Sequence, residues 1–304
     1  MRRQALICLL LMAASLEPTI GGCRASPVPT GPSQVGAPAS EAPPVPAPTA
    51  TPSPAVPTEP SRVLPAFHIT YMCNDGFAVS ASGKKVLVDA LFDDTEGICP
   101  ANFDEGLRAH EEPLSGADLV LVSHSHWDHF DPQTMGSYLM NNPESVLIAE
   151  QSAAEALAAE YVHFQDIQDR VHSLELQRRQ EIQMAFSGIE VEVISAPADV
   201  PNLGFIVRLG EISLFHSGDS GFDSVMEADF RAYGLAERGI HIAFLPYWYF
   251  IEPSGQSLLA EAIPARYYVP MHYAGEELLA IFPAIRSSYP RAILFTKALQ
   301  TFPP

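Results

Sequence analysis

Two rhythms of apolar and polar residues run through this chain from Phe67 onward. Short apolar runs of four to seven residues, bounded by Gly, Asn, Asp or Pro, read as strands. In the first half these are Phe67–Met72, Phe77–Ser80, Lys85–Asp89, Asp118–Val122 and Ser145–Ala149. The second half holds Glu181–Phe186, Ile189–Ile194, Gly204–Leu209, Ile212–His216, Ile240–Leu245, Tyr267–Met271 and Ala292–Thr296. Helical spacing and composition mark Asp131–Asn141, Gln151–Tyr161, Asp223–Tyr233, Ser257–Ala262 and Gly275–Ile281. Asp131 is placed to cap the first of these, with Pro132 at its first position. The run Ala117–Val122 is apolar at nearly every position, the pattern of a strand buried on both faces.

The start of the chain follows neither rhythm. Met1–Cys23 has Arg2 and Arg3, an apolar run Ala5–Leu16 and then EPTIGGC, the layout of a signal peptide. That run is too short to span a bilayer. Ile20-Gly21-Gly22-Cys23 resembles a bacterial lipobox, in which Cys23 is lipidated; the alternative is a plain secretory signal. Ser26–Pro60 has 12 prolines in 35 residues and cannot build a core. Fully extended as polyproline II it would reach on the order of 100 Å, a suitable stalk above a membrane. The expected organisation is a leader over 1–23, a Pro-rich linker over 24–62 and one domain over 63–304.

The candidate chemistry lies in SHSHWDHFDP, Ser123–Pro132, just past the apolar run. His124, His126, Asp128 and His129 are four potential metal ligands within six positions. Histidines at i and i+2 on an extended segment point to one side, and strand ends are where side chains converge on a crevice. Imidazole and carboxylate suit zinc, and also iron or manganese. Ser123 is placed to hydrogen-bond a histidine.

The pattern H-x-H-x-D-H resembles the signature of the metallo-β-lactamase superfamily. The resemblance extends from about His68 to the C-terminus. Ile69–Asp89, with Asn74, Gly76 and KKVLVD, looks like the family's opening strands and Gly-turn. HSGDS (His216–Ser220) looks like the element that supplies a bridging Asp, here Asp219. VPMHY (Val269–Tyr273) looks like the strand end that supplies the last histidine, here His272. The resemblance implies an α/β fold, an αβ/βα four-layer sandwich. It also implies one or two zinc ions (Mn or Fe as alternatives) held by His124, His126, Asp128, His129, Asp219 and His272. It further implies a catalytic role for Asp128, orienting the nucleophile or carrying protons. One family element is missing: Ile189–Phe205 contains no histidine where a further ligand is expected near Ala198 or Asp199. Asp199 is therefore a candidate replacement ligand or an ordinary loop residue, and the His124–His126 metal is expected to be the weaker one.

Tyr247, Trp248, Tyr249 and Phe250 follow a strand end and are candidate substrate-pocket residues. His216 and His241 read as packed histidines. Cys73 and Cys99 are either a disulfide or two buried thiols; exported proteins permit the former.

The implied function is hydrolysis of an ester, lactone, amide or phosphodiester in a small molecule or lipid, by a hydroxide generated on zinc. The alternative is a catalytically degenerate metal- or ligand-binding surface lipoprotein. Asp219 argues against a true β-lactamase, which generally lacks it. The formal net charge is −19, and residues 1–62 carry four arginines against three glutamates, leaving about −20 on the domain. Such a surface excludes nucleic acid as a partner. Membrane contact is expected only through the lipid anchor on Cys23, at an exported, membrane-anchored location or a secreted one.

Overall fold

The computed structural model describes residues 64–94, 97–99, 112–221, 223–273 and 280–303. The leader, the Pro-rich linker and most of the Gly275–Ile281 helix expectation lie outside them. The described residues form one compact unit.

In chain order the strands are β1 (Phe67–Cys73), β2 (Gly76–Ala81), β3 (Lys84–Val88), β4 (Leu119–Val122), β5 (Val146–Glu150) and β6 (Val171–Leu174). Then follow β7 (Glu181–Phe186), β8 (Ile189–Ser195), β9 (Leu203–Leu209), β10 (Ile212–His216), β11 (Ile242–Pro246), β12 (Tyr267–Met271) and β13 (Gln300–Phe302). One sheet has the order β13-β1-β2-β3-β4-β5-β6 and the other β12-β11-β10-β9-β8-β7. Each half begins with antiparallel hairpins and continues with parallel strands joined through helices. Pairing is antiparallel across β1, β2 and β3 and parallel from β3 to β6. In the second sheet β7 to β10 are antiparallel, and β10, β11 and β12 parallel.

The apolar runs explain the layering. Leu119 and Leu121 of β4 join a core that also contains Val193, Phe205 and Phe244 of the other sheet. Val120 and Val122, on the opposite face, pack in a separate cluster with Met135, Leu139 and Leu157 of the helices Pro132–Asn141 and Gln151–Glu160. The rings of Phe77 and Phe244 meet at 4.7 Å across the two sheets. Phe215 meets Phe230 of the helix Ser224–Ala232 at 6.3 Å. Helices thus cover the outer faces and the sheets pack inside, the four-layer sandwich expected from the sequence.

Local chemistry sets the boundaries. Asp131 caps the helix Pro132–Asn141 by accepting from the Thr134 backbone N–H at 2.7 Å. Some expectations need correction. Ala292–Thr296 is not a strand; it runs irregularly beside β12, with Ile293 N–H donating to the Tyr268 carbonyl. Edge strand β13 lies beyond it, and β6 was not foreseen, because both are short and lack alternating burial. The helix expected at Ser257 begins at Pro253, where proline's fixed φ suits a first turn.

Candidate metal centre

The loops that carry the polar cluster leave the same end of the sandwich. Ser123–His129 follows β4, Ser217–Ser220 follows β10, and His272 follows β12. The turn Asn74–Asp75 between β1 and β2 meets them there, tied by the His272 N–H donating to the Asn74 carbonyl at 3.3 Å. Two glycines make this convergence sterically feasible. A Cβ on Gly76 would lie 2.8 Å from the Asp89 carbonyl oxygen. Gly218 has φ +54°, and its Cβ would lie 2.1 Å from Asn202 Oδ1.

Among the described residues two groups of ligand atoms result, each with all members within 4.8 Å of one another. One is His124, His126 and Asp219; the other is Asp75, His129, Asp219 and His272. Asp219 belongs to both. Its Oδ2 lies 3.5 Å from His124 Nε2 and 3.1 Å from His272 Nε2, and its Oδ1 3.2 Å from His129 Nε2.

The residues expected to ligate are therefore largely gathered, with two exceptions. Asp128 is in neither group: its Oδ2 is 3.9 Å from His129 Nε2 and accepts from Asn74 Nδ2 at 2.9 Å. Asp199 is exposed and also in neither group. It lines an open depression of about 500 Å³ with Gly221, Asp223, Met226, Glu227, Trp248 and Ser254. Asp75, which the sequence did not single out, takes a place in the four-membered group. It stands in an Asn-Asp-Gly turn, where short polar residues are ordinary turn chemistry, so its composition carried no distinguishing signal.

Asp89 lies under both groups and is fully buried. Its Oδ2 receives His129 Nδ1 at 3.0 Å and Ser123 Oγ at 2.7 Å, and its Oδ1 the Ser123 N–H at 2.8 Å. Ser123 donates its hydroxyl proton to Asp89, so its oxygen accepts from His124 Nδ1 at 3.0 Å. Both histidines then carry their proton on Nδ1 and present the Nε2 lone pair to the cluster. His216, fully buried, is not a cluster member; its Nδ1 accepts from the Gly218 N–H and its Nε2 donates to the Asp75 carbonyl.

Burial and charge shift these groups strongly. Burial pushes Asp75 up to about 8. Burial, reinforced by the charge of His129, takes His124 down to about 3. Burial would lower His272 too, but Asp75 and Asp219 outweigh it and raise it to about 9. Asp219 and Asp89 overcome burial at His129, which sits well above the usual imidazole value. Burial opposes ionisation of Asp219, yet His129 and His272 hold it far below the usual carboxylate range. Protons and a divalent cation compete for the same atoms in such a set.

A metal fits these residues on one direct observation. Among the described residues, the buried side-chain N and O atoms without a hydrogen-bond partner are both Asp75 oxygens, His124 Nε2, His129 Nε2, Asp219 Oδ1 and Asn202 Oδ1. All but the last belong to the two groups. Buried polar atoms are ordinarily paired, and here the unpaired ones converge on common centres.

The four aromatics after β11 divide. Trp248 lines the depression, donates its indole N–H to the Ser220 carbonyl at 3.1 Å, and stands edge-on to His272 at 4.9 Å. Tyr247 is half-buried against Trp248. Tyr249 and Phe250 are buried in the core and do not line the depression. The residues Trp248–Ile251 form a helical turn, and its rotation of about 100° per residue keeps consecutive side chains off one face.

Fold and site together define an α/β sandwich with paired metal-ligand clusters at its loop end, the metallo-β-lactamase architecture. Residues 84–273 match the family model described as the beta-lactamase superfamily domain, and the chain belongs to that superfamily. A UPF0173 metal-dependent hydrolase of Aeropyrum pernix is 24% identical over 215 residues, covering 67% of this chain and 81% of that protein. A relative of the same name from Nitratidesulfovibrio vulgaris is 27% identical over 216 residues, covering 67% and 79%. Among solved structures, Igni18, described as a novel metallo hydrolase of the archaeon Ignicoccus hospitalis, is similar with a TM-score of 0.51 and 15% identity, covering 77% of this chain and 97% of that one. The metallo-beta-lactamase fold protein YhfI of Bacillus subtilis gives 0.50 and 13%, covering 78% and 98%.

Proposed function

We propose that this protein hydrolyses an ester, lactone, amide or phosphodiester bond in a small molecule or lipid, using two divalent metal ions that share Asp219. The class, a metal-dependent hydrolase, is the one its curated relatives carry in their names, and the superfamily is that of the matching family model. The observation that carries the reading is the coincidence of buried unpartnered ligand atoms with two groups joined through one carboxylate.

His124, His126 and Asp219 would hold one ion, and His129, Asp219 and His272 the core of the other. A divalent ion there supplies Lewis acidity and lowers the pKa of water to about 7. Three protein ligands with an open position is the arrangement of catalytic zinc sites, whereas structural sites are closed by four. The absence of a further histidine from Ile189–Phe205 therefore leaves the His124–His126 group suited to chemistry. Asp89 holds the tautomers of His124 and His129, directly and through Ser123. Asp128, anchored by Asn74 through Oδ2, would receive and return a proton at Oδ1. Trp248, in ring contact with His272, would offer aromatic surface to a substrate in the depression that it lines.

Purified protein is stripped with chelator, reloaded with Zn²⁺, Mn²⁺ or Fe²⁺, and assayed against ester, lactone and phosphodiester panels. Metal-dependent turnover that fails in His124→Ala with His126→Ala supports the reading. Metal binding with no turnover on any panel favours the degenerate binding protein instead.

Export and lipid anchoring at Cys23 belong to the same proposal. The disulfide between Cys73 and Cys99 supports an oxidising compartment. Cys23→Ala is expected to move the protein from the membrane fraction to the soluble exported one; a wild type already soluble would overturn the anchor.

A further inference from the structure

Asp75 poses a problem that the fold alone does not solve. Its side chain is fully buried, and neither carboxylate oxygen has a hydrogen-bond partner. A buried carboxylate in this condition is strongly disfavoured unless it is paired or coordinates a metal. The turn that carries it is nonetheless held firmly. The Asp75 carbonyl accepts from His216 Nε2 at 3.0 Å, the Asn74 carbonyl accepts from the His272 N–H, and Gly76 lets the turn press against the Asp89 backbone. The side chain is aimed by its surroundings, and toward His129, whose Nε2 lies 3.6 Å from Asp75 Oδ2.

Spacing separates Asp75 from the neighbouring carboxylate. Ligands about 2.1 Å from a tetrahedral centre stand about 3.4 Å from one another. The contacts His129–Asp219, His272–Asp219 and His129–Asp75, at 3.2, 3.1 and 3.6 Å, bracket that value. Asp128 stands at 3.9 Å from His129, and its nearer oxygen is engaged by the Asn74 amide. Asn74 and Asp75 are adjacent in one turn: the first draws one carboxylate aside while the second presents another.

We propose that Asp75, in place of Asp128, completes the ligand set of the second metal with His129, Asp219 and His272, and that Asn74 withholds Asp128 from coordination. This rests on the two-metal reading above. Asp219 is shared with the other group, so Asp75 supplies the second ion's own carboxylate, and its negative charge offsets part of the ion's charge beside the buried His129.

The test uses the purified, chelator-stripped full chain reloaded with ZnCl₂, with zinc content measured by elemental analysis and thermal unfolding followed with and without zinc. Wild type is expected to take up two zinc ions. Asp75→Asn, isosteric and neutral, should take up one, raise the unfolding midpoint of the stripped protein and shrink the upward shift produced by zinc. Asp128→Asn should keep two. Asp128 sits on a half-exposed loop, so this arm reads out even if Asp75→Asn does not fold. Loss of one zinc from Asp128→Asn, or two zinc ions held with wild-type affinity by Asp75→Asn, would overturn the assignment and leave the two-metal reading standing. A wild type that takes up no zinc overturns both.

Discussion

Asp89 Oδ2 accepts the Nδ1 proton of His129 at 3.0 Å, and both side chains are fully buried. That contact, relayed by Ser123 to His124, sets one histidine of each ligand group in the tautomer that turns Nε2 toward the cluster. Asp89→Asn keeps the volume but offers an amide where an acceptor is needed. Metal affinity should fall about 10–100-fold at both centres, the usual cost of removing a ligand's hydrogen-bond partner. Competition with a chromophoric chelator reads this; weakening confined to one centre would show that Ser123 does not relay the effect.

Gly218→Ala should disturb the site without touching a ligand. The new methyl group would lie 2.1 Å from Asn202 Oδ1 and 2.8 Å from Ser123 Cβ, at a left-handed φ. Asn202 also spans the Ala196 and Ser217 carbonyls, so the loop bearing Asp219 must shift. Because Asp219 serves both groups, zinc content should drop at both centres together, with stability lower by about 1–3 kcal/mol. Full zinc occupancy in Gly218→Ala would show that the loop adapts without moving Asp219.

The disulfide joins Cys73, at the end of β1, to Cys99 across a separation of 26 residues. Closing a loop of that length stabilises by about 3.5 kcal/mol on the chain-entropy relation. Cys73→Ser with Cys99→Ser should cost stability of that order in denaturant titration. Cys73 directly precedes Asn74 and Asp75, so zinc uptake should become incomplete as well. Unchanged denaturant midpoints in the double variant would exclude the bond from the folded protein's stability.

Asp229 gives a pH dependence far from the metal centre. The hydrogen bond from Arg178 outweighs burial and, with Arg179, holds its carboxyl below the usual range. A carboxyl depressed in the folded state contributes stability above its unfolded value of about 3.9, and that contribution is lost as pH falls through the lower folded value. Asp229→Asn should be less stable than wild type at pH 7 and closer to it at pH 3, by denaturant midpoints. A constant difference at both pH values would sink the ion-pair account.

Local sequence determined the parts of this protein that depend on near neighbours. A short run apolar at every position, Leu119–Val122, bounded by polar residues, reads as a strand covered on both sides, and the structure covers it on both sides. His124, His126 and His129 were legible because the loop after that strand is short enough for spacing alone to aim them together. Asp131 was legible as a cap because capping is decided within three residues. Asp219 and His272 were found through the resemblance, since nothing in their own surroundings marks them as partners of a loop about 90 and about 145 residues earlier in the chain.

Tertiary structure decided what lies beyond that range. Asp75 looks like a turn residue in sequence and Asp89 like the end of a strand, and only the pairing of β1, β2 and β3 brings them under the histidines. Asp128 and Asp75 compete for one place, and a hydrogen bond from Asn74, 54 residues away in sequence, separates their positions. Of four consecutive aromatics, helical rotation and the neighbouring helices determined that Trp248 lines the depression while Tyr249 and Phe250 enter the core. Spacing aims side chains within one loop; between loops, the aim is set by strand register and by which buried polar atoms remain without a partner.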